Sequence, residues 1–478
     1  MSSPYQLTRL ERDSVPGLTL LRQNFPDKYP FLLSTTSQSE TSNTFDILFC
    51  SPKDYLYLDY QGNLMTSANY SKYQGMNFLE AFERIFSDEQ RFFHQDEIPF
   101  CGGWFVYLSY EMAQDIEPCL SLAVEKRALP RAYLARTDRA LLYDHLEKNF
   151  LLISEAGVSH QQVLKEVLAD AGAVKACQRT QLQIHSELLE ENSEKFLDAV
   201  KRVHQYIKDG DVFQVNLSRL WHTWLKGEHH SISHKIFQRL SVTNPAPFSG
   251  LVHMVHPLGT DTASIISSSP ERLLSIKQGV VQSRPIAGTR PRSQSSDHDL
   301  ELIKELHEHP KEQAEHIMLI DLIRNDLGRV SVPGSVQVNE LMVNETYAHV
   351  HHIVSNVQGI LAEHKSPVDA IRALFPGGTI TGCPKVRCME IIAELEKLQR
   401  NAYAGALGYF GFEGNHDSCI AIRTAMLSKG KIHLQAGAGI VADSVPENEF
   451  QETINKAKGM LKAIALAERI EQSSRPTP

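Results

Sequence analysis

Apolar positions along this chain switch between two periods. Short apolar runs at 45–50, 141–143 and 150–153 predict strands within the first 170 residues, parted by polar turns. Residues 77–86 and 163–175 carry helical spacing instead. From Ser193 onward, Phe196, Val200, Val203 and Ile207 recur at steps of four, three and four, which puts one apolar stripe on a helix. Further strands are predicted at 264–267, 280–283, 351–357, 405–410, 418–423 and 432–436, and helices at 298–324, 366–374, 384–396 and 446–469. The last helix has Pro446 in its first turn and a Ser444/Glu447 capping pattern before it. Strands interleaved with helices, many of them hairpin-like, predict an α/β or α+β body. Residues 177–183 read as a linker between a region 1–178 and a catalytic region 190–468, and 470–478 as a disordered polar tail.

Composition narrows the class. Of 478 residues, 42% are apolar and 22% charged, as in an ordinary globular protein. A net charge of −9 argues against a general nucleic-acid binder, which needs a basic surface, but leaves room for a small anion in a local basic pocket. The opening MSSPYQLTRLERD lacks the basic and apolar regions of a signal peptide, and no apolar run nears the ~20 residues of a membrane span. Seven scattered cysteines with no Cys-x-x-Cys predict reduced thiols in a cytoplasmic protein and no zinc site.

Candidate chemistry concentrates in the second half. Glu312 and Glu315 are three residues apart, as are Glu449 and Glu452, with Lys456 following. On helices each pair shares a face. Each alone reads as a solvated face with weak ion pairs; brought together, four carboxylates demand a hard cation, and Mg²⁺ with an anionic substrate suits them. The tract Ser283-Arg-Pro-Ile-Ala-Gly-Thr-Arg-Pro-Arg292 is either an exposed basic loop or a restrained backbone that lets a ligand approach at Gly288 beside the Thr289 hydroxyl. Gly437-Ala-Gly439 reads as a turn, or as backbone amides offered to an oxyanion. Arg423 ends an apolar strand and needs a carboxylate partner. His349 and His351 share a strand face opposite His352; packed histidines are the simpler reading, with His352 a candidate acid/base.

The ordered set Ser269-Pro-Glu-Arg272, Pro285–Thr289, Glu312–Glu315, Asp321–Arg329, Phe375–Lys385, Ile422–Thr424, Gly437–Gly439 and Glu449–Lys456 resembles the chorismate-utilising enzymes. The resemblance is strong over 190–468 and weaker before it. It implies two β-sheets packed around a central site with helices outside, binding Mg²⁺ and chorismate. On that likeness Glu315 and Glu452 are metal ligands, supported by Glu312 and Glu449. Arg423, Lys456, Tyr403 and the amides of Gly437 and Gly439 grip the substrate's carboxylates, with Ala287 and Gly288 also lining the substrate. Glu271 and Thr289 lie beside the ring, Glu271 as general acid for the departing C4 hydroxyl, and His352 matches the family's active-site histidine.

The resemblance also bears on the reaction. Members that add water carry a lysine base where this chain has Gln214; an amide cannot deprotonate water but can orient ammonia. That favours the aminating branches. Gln214–Ser218, Phe375–Gly382 and a Phe31-Leu-Leu-Ser-Thr that lacks Leu-Leu-Glu-Ser are similar to the branch forming 4-amino-4-deoxychorismate for folate. Ala287 points toward the branch forming anthranilate and pyruvate, because members of the first branch place a nucleophilic lysine there. With no glutaminase segment in the chain, ammonia is expected from a separate glutamine amidotransferase subunit. A chorismate- or tryptophan-binding regulator without catalysis is the remote alternative; its acidic pairs would have decayed, and here all four glutamates stand.

Overall fold

The computed structural model describes residues 3–37, 44–91, 93, 98–123, 129–175, 182–259, 262–293, 295–347 and 350–464. Two large sheets form its framework. The spine of the first runs in the order Tyr5–Leu10, Asn149–Glu155, Arg139–Asp144, Phe45–Phe49, Phe31–Ser34, Phe248–Val255, Thr262–Ser269, Thr424–Ser428, Lys431–Ile440, Gln214–Lys226 and Gln183–Ile184. The second runs Ile286–Pro291, Val350–Ile360, Val280–Arg284, Arg272–Lys277, His416–Ile420, Ala406–Gly411, Gly103–Leu108, Ala132–Thr137, Asp54–Leu58 and Leu64–Thr66. Each sheet therefore joins a block of strands from the first 155 residues to a block from the rest of the chain.

Side-chain alternation decides what each face buries. In the first sheet Val252, Ile265, Met426 and Leu217 turn inward and join Leu274, Leu407 and Phe105 of the second in one buried cluster. Phe31 and Phe105 stack across the two sheets at 4.1 Å between ring centroids. The alternate residues Leu251, Ile266, Leu427, Leu434 and Trp221 face outward into a second cluster. Helices Leu18–Asn24, His229–Thr243 and Pro446–Ile464 cover that face through Leu21, Ile236, Leu240, Ala457 and Leu461. Helix Pro310–Gly328 packs against Val350–Ile360 of the second sheet.

Most predicted elements form, with instructive differences. The helix predicted over 298–324 is two, Ser296–Glu308 and Pro310–Gly328. Pro310 has no N–H to continue the first helix and holds His309 at ψ 110°, outside the helical range. The strand predicted to reach Arg423 stops at Ile420, and Arg423 takes φ +50°. Gly437 and Gly439 lie within the Lys431–Ile440 strand rather than in a turn. A capping box also forms at Ser366 and Asp369, at the start of helix Pro367–Leu374, while Ser444 Oγ accepts from the Val441 N–H before helix Pro446–Ile464. His349, most of the predicted linker and the tail 470–478 lie outside the described residues. The six described cysteines are free thiols, and among the described residues no helix is long and apolar enough to cross a membrane.

Candidate active site

The site begins with a break in the first sheet. Strand Thr424–Ser428 pairs with Lys431–Ile440 only up to Ala425 opposite Leu434. Past that point Lys431–Ile440 pairs on its other side, with Asn216 opposite Gly439 and Ser218 opposite Gly437. Both partners aim their backbones away from it. The Asn216 N–H donates to Thr381 O at 2.9 Å, its carbonyl accepts from Arg400, and the Ser218 N–H donates to Glu396 at 2.7 Å. In an antiparallel ladder these are the pairs that exchange no hydrogen bonds, so Gly437 and Gly439 turn their N–H groups toward the opened edge. The Lys456 ammonium confirms the direction by donating to Gly437 O at 3.0 Å.

Glycine is required at both positions. A Cβ on Gly437 would stand 2.6 Å from the Tyr403 hydroxyl and 2.6 Å from Leu217 O; one on Gly439 would stand 2.4 Å from Gln214 Nε2. The Gln214 amide donates to Glu315 Oε1 at 2.6 Å. Gly439→Ala must push this flexible amide off Glu315, whereas Gly437→Ala meets backbone. We expect Gly439→Ala to lower kcat/KM about tenfold or more with the melting temperature held within about 2 °C, measured by steady-state kinetics beside thermal unfolding. Loss of stability without a kinetic effect would show that Gln214 has no part in the chemistry.

Arg423 and Glu271 face each other at the same opening. Burial pushes the Glu271 carboxyl up to about 7, against the opposing pull of Thr379, the Ile286 N–H, Lys456 and Arg423. Loss of hydration lowers the Arg423 guanidinium from its ordinary value, with Glu271 opposing that shift. The second sheet supplies the opposite wall. In Ile286–Pro291 the register slips between Ala287, opposite Ile353, and Thr289, opposite His352. Gly288 takes φ +65° in this bulge, which re-aims Thr289 at His352. His352 Nδ1 lies 2.9 Å from the Thr289 hydroxyl, and burial, then Arg423, lower the imidazole to about 4, so it is neutral at physiological pH. His351 points the other way, to Asp299 at 2.9 Å.

The two acidic pairs border this space from helices on either side. Glu312 packs against Gly288 and lies 3.4 Å from Arg290, while Glu315 holds Gln214. Glu452 lies 2.7 Å from Lys456, and Glu449 is buried one turn earlier. Among the described residues no three His, Cys, Asp or Glu side chains gather closely enough to hold a metal ion. Mg²⁺ does not need three; it takes one or two carboxylates and completes its shell with water and substrate oxygens. An all-oxygen donor set, with Glu315 by Gly439 and Glu452 tied through Lys456 to Gly437, fits that demand.

Contacts and electrostatic links thus connect Gln214, Glu271, Thr289, Glu315, His352, Tyr403, Arg423, Gly437, Gly439, Glu452 and Lys456, with Ala287, Gly288 and Glu312 at the bulge and Glu449 one helical turn from Glu452. Three residues that pattern reading passed over hold it in shape. Glu396 accepts from Ser218 and pairs with the fully buried Arg400 at 2.6 Å; Arg400 in turn donates to Ile380 O and Asn216 O. Asn216 stands beside the Gly437 backbone. The only sequence signal was the nearness of Glu396 and Arg400 to Tyr403. A separate cavity of about 300 Å³ between the sheets, lined by Phe45, Phe248, Arg272 and Tyr409 among others, contains none of the predicted site residues.

Comparison with known proteins identifies the family. The family described as chorismate binding enzyme matches residues 19–462. Anthranilate synthase component 1 of Acetivibrio thermocellus is 41% identical over 391 residues, covering 78% of this chain and 76% of that protein. Aminodeoxychorismate synthase component 1 of Bacillus subtilis is also 41% identical, over 401 residues, covering 82% and 83%. The crystal structure of anthranilate synthase component I from Streptococcus pneumoniae superposes with a TM-score of 0.74 at 32% identity, covering 88% of this chain and 93% of that one.

Proposed function

Because the chain belongs to the family of chorismate-binding enzymes, we propose that it aminates chorismate with ammonia to give 4-amino-4-deoxychorismate. The observation that carries amination is Gln214. Its amide is held at 2.6 Å from Glu315 beside Gly439, where a water-adding relative would need a base. Choice of the C4 product rests on the sequence tracts Gln214–Ser218 and Phe375–Gly382.

In this reading the N–H groups of Gly437 and Gly439, with Arg423, Lys456 and Tyr403, bind the two carboxylates of chorismate. These are charge-assisted donors fixed before the substrate arrives. Glu271, protonated near neutral pH, hands its proton to the departing C4 hydroxyl. Gln214 orients ammonia, and neutral His352 with Thr289 flanks the ring. Glu315 and Glu452 would hold Mg²⁺, with Glu312 and Glu449 behind them; when bound, the ion neutralises these carboxylates and fixes the ring carboxylate. A separate glutamine amidotransferase subunit would deliver the ammonia.

The second reading is anthranilate synthesis, favoured by Ala287. This side chain is buried at the bulge and has no nucleophilic atom to form a covalent adduct at C2. One assay separates the two. The chain incubated with chorismate, Mg²⁺ and ammonium should give a product that an added lyase converts to 4-aminobenzoate. Anthranilate fluorescence without any lyase would replace the first reading with the second.

A further inference from the structure

On the outer face of the first sheet, away from the site above, lies a second cluster of cationic and imidazole groups. Arg22, on helix Leu18–Asn24, is fully buried. Its Nε donates to Leu251 O at 3.3 Å, but neither Nη1 nor Nη2 has a hydrogen-bond partner among the described residues. Leu251 and His253 share the outward face of one strand, and His253 stands opposite Ser264 of the next. Helix His229–Thr243 closes over them. His229 Nε2 lies 2.9 Å from the Ser264 hydroxyl, and the rings of His230 and His253 are 4.3 Å apart. Among the described residues, both ring nitrogens of buried His234 and of buried His253 lack hydrogen-bond partners, as does His230 Nδ1.

Among the described residues, the nearby acidic groups do not balance Arg22. Glu228 spends its carboxylate on the N–H groups of His230 and Ser231, at 2.9 and 2.7 Å. Asp27 is largely exposed, with its carboxylate 3.8 Å from His253 Nε2. Burial lowers His229 and His234 to about 4 and His253 to about 2, so these rings are neutral donors at physiological pH; Arg22, lowered to about 9, keeps its charge. A buried guanidinium without an acceptor is costly, and a single negative charge relieves it. The half-buried rings of His229 and His230 offer the route in from solvent.

We infer that Arg22, with the N–H groups of His230, His234 and His253, forms a binding site for one small monovalent inorganic anion of the halide class. Single charge follows from one cation among neutral rings, and small size from the close packing of those rings.

The test is thermal unfolding of the full chain titrated with chloride or bromide at constant ionic strength, with gluconate as the bulky replacement anion. A saturable rise of about 2–5 °C is expected for the natural protein, and none for Arg22→Met. Equal midpoints in halide and gluconate, or the same rise in Arg22→Met, would overturn the inference. If Arg22→Met fails to fold, crystals of the natural protein grown in bromide decide the matter. An anomalous peak against the Arg22 guanidinium supports the site, and ordered water alone at that position rejects it.

Discussion

Glu452→Gln is expected to lower Mg²⁺-dependent turnover by on the order of 10²- to 10³-fold while leaving the fold intact. The substitution keeps side-chain shape and removes only charge. Glu452 is 45% exposed, so its loss leaves no buried cavity or orphaned core group. Two effects coincide at this position. The carboxylate is proposed to hold the metal, and it also fixes Lys456, which donates to Gly437 O. Titration with Mg²⁺ separates them. If Glu452 serves the metal, excess Mg²⁺ recovers part of the lost rate and the apparent affinity for Mg²⁺ falls. If it only steadies Lys456, the loss is independent of Mg²⁺, and Lys456→Met reproduces it. Turnover like that of the natural protein at low Mg²⁺ would remove Glu452 from the metal site altogether.

The acidic pairs were legible in the sequence because helical spacing is local: three residues apart on a helix means one face, whatever the rest of the chain does. The same holds for the strand pattern and for the stripe of Phe196, Val200 and Val203, which is buried as its spacing predicts. Where local rules compete, the reading failed in a physical way. Apolar and acidic spacing continued across residue 310, so 298–324 read as one helix, although Pro310 forbids it. Gly437 and Gly439 read as a turn because their ladder partners, Ser218 and Asn216, lie more than 200 positions away. Glu396 was invisible for the same reason: Ser218, whose N–H it accepts, is 178 residues earlier. The bulge at Gly288 shows the intermediate case. Glycine signalled close approach, but only pairing with Val350–Ile360 reveals that it re-aims Thr289 at His352.

Glu271→Gln is expected to cost on the order of 10²- to 10⁴-fold in turnover, the usual worth of a positioned general acid. The carboxyl is buried and pushed up to about 7, so at neutral pH a large fraction still carries the proton that the C4 hydroxyl needs on leaving. In the natural protein, kcat/KM at fixed free ammonia should therefore fall as pH rises through about 7. The residual activity of Glu271→Gln should lack that limb. A limb that survives the substitution would place the acid elsewhere. Stability provides an independent check, because the folded state binds this proton more tightly than the unfolded chain, where Glu271 titrates near 4.5. Its contribution is complete below that value and is lost as pH climbs through about 7, a penalty on the order of 3 kcal/mol by pH 9. Glutamine carries no such penalty. Denaturant unfolding should show Glu271→Gln gaining on the natural protein between about pH 5 and 7 and holding that gain above pH 7, where catalysis by the natural protein declines. A stability difference that stays flat between about pH 5 and 7 would mean that Glu271 is ionised throughout, and so cannot be the acid.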